Sequence, residues 1–179
     1  PVQVTYLGYP NTTGLGAMDY RFTDQWADPE GQSDVYSEKL VNLPSGFLAF
    51  APPQDVPDVV PPPCIKNGYA TFGSFNNFAK VTDEMIEVWS KILQRVPDSR
   101  LYIKNRLFDE EKNREKTRYD FARYGIGIER LNLVGYIEGL YGHLDAYANI
   151  DIALDTFPYN GTTTTCEALW MGVPVVSLC

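Results

Sequence analysis

Histidine occurs once in these 179 residues, at position 143, and cysteine three times, at 64, 166 and 179. The cysteines are far apart, with no Cys-x-x-Cys pair and no Cys/His cluster, so neither a disulfide framework nor a zinc site is expected. No Asp-x-Asp occurs, which removes the sequence signature of a metal-held diphosphate. Basic residues are outnumbered, 15 against 23 acidic, for a formal net charge of −8; a nucleic-acid-binding face would need the opposite excess. No apolar run reaches the roughly 18 residues that would span a membrane. The first ten residues lack the basic start and apolar core of a signal peptide. A reduced, cytoplasmic setting is the expectation. The apolar stretch 173–179 ends without a closing helix, and the chain is read as a fragment cut at both ends. Any phosphate it binds must be held by helix ends, hydroxyls and one or two placed cations.

What is present reads as α/β. Residues 2–7 and 20–23 are strand-like, separated by turn residues from Gly8 to Gly14. Residues 51–66 carry Pro52, Pro53, Pro57, Pro61, Pro62 and Pro63, a density no helix or sheet interior accepts. They are taken as a linker between residues 1–50 and a second domain at 67–179. From there strand and helix alternate. Strands are expected at 69–75, 100–104, 131–135, 150–154 and 173–178. Helices are expected from the Thr82 cap through Val96, over 109–124 to a stop at Gly125, over 140–148, and from Thr163 through Met171 to a stop at Gly172. Met85, Val88, Trp89, Ile92, Leu93 and Val96 form the stripe of the first of these helices. The alternation predicts a Rossmann-like parallel sheet covered on both faces, with ligands outside the carboxyl ends of its strands.

Three loops at that edge carry the candidate residues. The first ends at Lys80, just before a helix, where a lysine can meet a diphosphate or simply be solvated. Asn76 and Asn77 in the same loop read as turn formers. The second precedes His143, which is open between a structural role and a ligand. The third places Thr162, Thr163, Thr164 and Thr165 at a helix start, where four hydroxyls beside free backbone N–H groups make either a capping cluster or an anion site. Glu167, one turn on, either complements the helix dipole or accepts from ribose hydroxyls. Gly14-Leu-Gly16 and Gly125-Ile-Gly127 fail as dinucleotide fingerprints, since no helical periodicity follows the first and a strand follows the second.

Several long segments are recognisable together: Pro1-Val-Gln-Val-Thr-Tyr-Leu-Gly-Tyr-Pro-Asn-Thr-Thr-Gly14, Met18-Asp-Tyr20, Tyr36-Ser-Glu-Lys-Leu40, Phe72-Gly-Ser-Phe-Asn-Asn-Phe-Ala-Lys80 and Pro158-Tyr-Asn-Gly-Thr-Thr-Thr-Thr-Cys-Glu-Ala-Leu-Trp-Met-Gly-Val-Pro174. Across essentially the whole chain they resemble the catalytic region of the O-GlcNAc transferase and SPINDLY-like family, in a bacterial form without the large insertion of the animal enzymes. The resemblance implies a two-lobed GT-B fold: the end of the first lobe at 1–50 and a truncated donor-binding lobe at 67–179. It implies a UDP-sugar donor held without a metal or other cofactor, and a protein acceptor.

By the same resemblance, Lys80 and Asn77 address the donor diphosphate, Asn77 standing where animal members have glutamine. Thr163 and Thr164 lie on the phosphates and His143 on the base. Glu167 stands for an aspartate on the ribose, Thr162 replaces a histidine next to the sugar, and Leu140 replaces a lysine near the ribose. The catalytic histidines of the first lobe fall before Pro1 and the tetratricopeptide repeats of the family fall outside this window, so no catalytic residue is named here. The expected reaction is transfer of N-acetylglucosamine from UDP-GlcNAc to Ser or Thr hydroxyls of proteins. A GDP-fucose-dependent O-fucosyltransferase and a nucleotide-sugar-binding module without turnover remain as alternatives.

Overall fold

Strand β1 is cut to Val4–Thr5 because Leu7 takes a left-handed φ of 59° and Gly8 N bonds back to Tyr6 O at 2.7 Å, which turns the chain out of the extended run expected over residues 2–7. In this computed structural model, residues 1–31 and 33–178 are described, and the chain divides into two compact units, Pro1–Ala51 and Pro52–Cys179. The first holds a parallel sheet ordered β1-β2-β3, with β2 at Tyr20–Thr23 and β3 at Lys39–Asn42. Strand β3 was not expected; its four residues, Lys-Leu-Val-Asn, show no alternation to reveal it.

In β2 the buried side is the polar one: Arg21 and Thr23 are buried while Tyr20 and Phe22 are half-exposed. Arg21 Nη1 donates to Tyr9 O at 2.8 Å and Asn11 O at 2.9 Å, and its Nε lies 3.5 Å from Asp28 Oδ2. Asp28 also accepts from the Thr23 and Tyr36 hydroxyls. Asp24 accepts from the backbone N–H groups of Trp26, Ala27 and Phe47, each at 2.8 Å. Glu38 accepts from Thr12 Oγ1 at 2.7 Å, from Thr13 N at 2.6 Å and from Thr13 Oγ1.

The second unit opens on the proline-rich stretch, expected as a linker. It lies along this unit: Val56 packs on one of its apolar clusters, and the Cys64 and Thr71 amides donate to Asp151 at 2.9 and 2.7 Å. A short helix α1, Cys64–Asn67, closes at Gly68 with φ 74°. Then come β4 (Thr71–Ser74), α2 (Asp83–Arg95), β5 (Arg100–Lys104), α3 (Glu111–Ala122), β6 (Leu131–Val134), α4 (Gly139–Asp145), β7 (Ile152–Leu154), α5 (Thr163–Trp170) and β8 (Val175–Val176). All strand pairs are parallel and the order is β6-β5-β4-β7-β8. The alternation of strand and helix expected from the sequence is present throughout.

Thr82 caps α2, its hydroxyl accepting from Met85 N at 3.3 Å. The buried face of α2 is Met85, Ile86, Trp89, Ser90 and Leu93, so Ile86 takes the place expected for Val88, which is exposed along with Val96. Helix α3 is shorter than expected because Asn105 caps a 3₁₀ turn at Arg106–Asp109 first. Helix α4 likewise ends early and continues as a 3₁₀ turn, Ala146–Asn149.

Two apolar clusters hold the sheet. One joins Trp89, Leu93, Leu101, Ile103, Phe108 and Phe121; the other joins Phe75, Leu144, Tyr147, Ile150, Ala168 and Met171. The chain order reverses between β4 and β7, and a doubly wound sheet leaves its binding crevice at the carboxyl ends of such a pair.

Candidate functional site

The loop after β4 and the loop after β7 meet at this reversal. Asn76, buried, bridges them: its Nδ2 donates to Asp155 Oδ1 at 3.2 Å and its Oδ1 accepts from Thr164 Oγ1 at 2.9 Å. Lys80 reaches across from the other end of its loop, with Nζ donating to Asn160 O at 3.0 Å and lying 4.1 Å from the centroid of the Tyr159 ring. Burial pulls the Lys80 ammonium below its ordinary range, and the Asp155 charge opposes that pull. Asn77 is exposed and its Oδ1 accepts from Ala79 N at 3.1 Å, capping the 3₁₀ turn Phe78–Lys80 that carries the lysine.

Helix α5 begins at Thr163, with Thr162 in the cap position but making no side-chain capping bond. Thr162 and Thr163 are exposed. The four threonines are thus not a capping cluster: Thr164 bonds to Asn76 and Thr162 leaves the helix N-terminus uncapped. That end presents backbone N–H groups to any anion. Gly161 is required where it stands, since a Cβ there would lie 2.6 Å from Thr164 Oγ1 and 2.7 Å from Asn76 Oδ1.

One turn along α5, Glu167 Oε2 lies 2.9 Å from His143 Nε2 of α4. A carboxylate only accepts, so Nε2 carries the hydrogen and Nδ1 is the free acceptor when the ring is neutral. The Tyr147 hydroxyl lies 3.1 Å from Thr164 O and 3.5 Å from Glu167 Oε2; burial, with the adjacent Glu167 charge, pushes its phenol far up. His143 and Tyr147 pack around the Phe75 ring, at centroid distances of 6.0 and 4.3 Å. Lys104, at the end of β5, sets its ammonium 5.3 Å from the same ring; burial lowers it and Glu167 opposes.

Lys80, Thr164, Glu167 and His143 therefore lie along one chain of contacts through Asp155, Asn76 and Tyr147, while Thr163, Asn77 and Thr162 sit at its solvent edge. Leu140 is exposed on the first turn of α4. Residues the sequence reading passed over are Asp155, Tyr159, Tyr147, Phe75 and Lys104; the placement of Asp155, Phe75 and Lys104 at strand ends is the signal that could have found them. Among the described residues, no three His, Cys, Asp or Glu side chains gather as a metal site would require, and no helix is long and apolar enough to cross a membrane.

The parallel sheet, its reversal and the loops gathered there are those of a GT-B glycosyltransferase. An O-GlcNAc transferase mutant from Thermobaculum terrenum superposes with a TM-score of 0.92 at 40% identity, over 99% of this chain and 33% of that one. The model of glycosyl transferase family 41 matches residues 1–54 and 65–179, and the chain belongs to that family. A rice protein described as a probable UDP-N-acetylglucosamine–peptide N-acetylglucosaminyltransferase SPINDLY is 49% identical over 178 residues, 99% of this chain and 19% of its own length. An Arabidopsis thaliana protein of the same description, SEC, is 31% identical over 186 residues, again 99% of this chain and 19% of its own. The chain thus spans about a fifth of the length of these curated relatives.

Proposed function

We propose that residues 52–178 form the donor-binding part of a protein O-glycosyltransferase that moves N-acetylglucosamine from UDP-GlcNAc to Ser or Thr hydroxyls of proteins. The observation that carries this reading is the meeting, at the sheet's reversal, of a cation, an uncapped helix N-terminus with threonine hydroxyls, and a His–Glu pair. They fit the three parts of a nucleoside diphosphate sugar. Lys80, the Thr163 hydroxyl, Thr164 through its backbone N–H and the other first amides of α5 address the diphosphate, with Asn77 at its edge. His143 addresses the base, Glu167 the ribose and Thr162 the sugar. Glycosyl transfer needs charge stabilised on the departing diphosphate, and an ammonium with a helix dipole supplies that without a metal. The acceptor is a second protein, the general base and the tetratricopeptide repeats belong to the remainder of a cytoplasmic protein, and residues 1–51 to the end of its first lobe.

Isothermal titration of the full-length protein with UDP, with and without chelator, tests this. Replacing Thr163 and Thr164 together by valine should lower UDP affinity more than tenfold, since a hydrogen bond to a charged group is worth about 1.5–3 kcal/mol. Thr163→Val should account for most of the loss, because the Thr164 hydrogen is already engaged by Asn76. Unchanged UDP affinity in the folded double variant sinks the assignment. A GDP-fucose donor is the alternative that the resemblance to SPINDLY-like proteins leaves open. Competition between GDP-fucose and UDP-GlcNAc separates the two.

A further inference from the structure

Asp155 is the most heavily bonded side chain at the reversal, and neither the resemblance nor the reading above gives it a role. It follows β7 directly, is 8% exposed, and is surrounded by donors from four directions. Its Oδ1 accepts from Gly161 N at 2.7 Å, Thr156 N at 2.8 Å and Asn76 Nδ2 at 3.2 Å; its Oδ2 accepts from Ser177 Oγ at 2.8 Å. Lys80 gives its hydrogen bond elsewhere, to Asn160 O.

We infer that Asp155 is the positioning residue of the diphosphate site, one carboxylate setting both the lysine and the first turn of α5 without itself touching the ligand. The inference rests on the diphosphate reading above. Its first limb runs through Asn76. An amide can be turned either way, but only Nδ2 can face a carboxylate, so Asp155 forces Asn76 Oδ1 toward Thr164. The Thr164 hydroxyl must then donate to Asn76, which fixes its rotamer and the first turn of α5. The second limb is the 156–161 loop. Drawn onto Oδ1 at both ends, it turns Asn160 O and the Tyr159 ring toward the Lys80 ammonium. The limbs touch at Gly161, where there is no room for a side chain between Thr164 Oγ1 and Asn76 Oδ1. The groups facing Lys80 are thus the Asp155 charge, the Asn160 carbonyl and the Tyr159 ring, and Asp155 is the one that opposes the effect of burial on the ammonium.

The test is titration of the full-length transferase with UDP and with uridine, which lacks the phosphates, across a range of pH. Asp155→Asn keeps size and removes the charge. UDP affinity should fall about tenfold while uridine affinity stays within about twofold. The pH at which UDP binding weakens should move down, since burial then acts on Lys80 unopposed. Against a Lys80→Met background the Asp155→Asn loss should shrink, because both act on one diphosphate. Normal UDP affinity in folded Asp155→Asn, or equal losses for UDP and uridine with an unmoved pH profile, overturns the inference. If that variant does not fold, Asn76→Ser cuts the first limb alone and should lower UDP affinity about threefold, again sparing uridine; no change there overturns it equally. Normal UDP affinity in Lys80→Met is a different failure: it removes the diphosphate reading, and this inference with it.

Discussion

The two units bury opposite kinds of side chain. Among the described residues, unit 1 buries Arg21, Thr23, Asp24, Asp28 and Glu38 and not one hydrophobic residue. Unit 2 buries two apolar clusters around Trp89 and Tyr147 and keeps its buried polar groups chiefly at the strand ends. Apolar burial is non-directional and tolerates repacking, whereas a buried ion-and-hydroxyl hub works only while every member is in place. The difference separates a unit that is robust to small changes from one that is brittle.

The largest effects should therefore come from different chemistry in each unit. Asp28→Ala strands the buried Arg21 charge and the Thr23 and Tyr36 hydroxyls, and should cost about 3–5 kcal/mol, since breaking a buried pair leaves an uncompensated charge. Trp89→Ala should cost about as much by leaving a cavity, 3–5 kcal/mol for a large aromatic. Denaturant unfolding of the full-length protein measures both. Limited proteolysis should then cut Asp28→Ala within residues 1–51 and Trp89→Ala within 52–178. The same cleavage pattern in both variants would break the distinction between the units.

Acid should tell the units apart next. Burial works to raise the Glu38 carboxyl, but hydrogen bonds from Thr13 and Thr12 outweigh it and hold it at about 2, against an ordinary 4.5. A carboxyl lowered by folding stabilises above its unfolded value and loses that contribution as pH falls through the folded one. Asp24 is lowered too, burial being overcome by three backbone N–H groups. Unit 1 should loosen between pH 4.5 and about 2, before unit 2, and Glu38→Gln should flatten that dependence. Hydrogen exchange read at several pH values would show it; simultaneous loosening of both units contradicts the expectation.

The smallest contrast lies within unit 2, between two threonines at helix starts. Thr82→Ala removes a real cap and should cost about 1 kcal/mol. Thr162→Ala removes none and should stay within about 0.5 kcal/mol, as surface changes do. A Thr162 cost as large as that of Thr82 would restore the capping role that the geometry denies it.

Unit 2 was largely legible in the sequence because its strands and helices announce themselves: the Thr82 cap, Gly125 with φ 74° and Gly172 with φ 76° all lie where the pattern put them. Ile86 and Val88 lie on opposite flanks of the Met85–Trp89–Leu93 row, about 200° apart around the axis, and a stripe drawn from spacing alone does not choose which flank faces the sheet. Unit 1 was less legible for the reason that makes it brittle. Its buried positions are charged and hydroxyl-bearing, so hydropathy periodicity points to the wrong face of β2 and misses β3 altogether. At the site, Lys80, Thr163, Thr164, Glu167 and His143 could each be picked out as candidates from residue type and position alone. Asp155 could not, because its hydrogen-bond partners, Asn76, Thr156, Gly161 and Ser177, are scattered along the chain.

That scatter has a kinetic side. Asn76 and Thr164 are 88 positions apart, and Lys80 and Asn160 are 80 apart. Both contacts need β4 and β7 side by side, so the long loop between those strands must be closed before the crevice can form. A nucleotide gripping both sides would act as a clasp on that loop. Its grip should be felt as slower unfolding of all five strands, rather than as a local stiffening of the loops it touches.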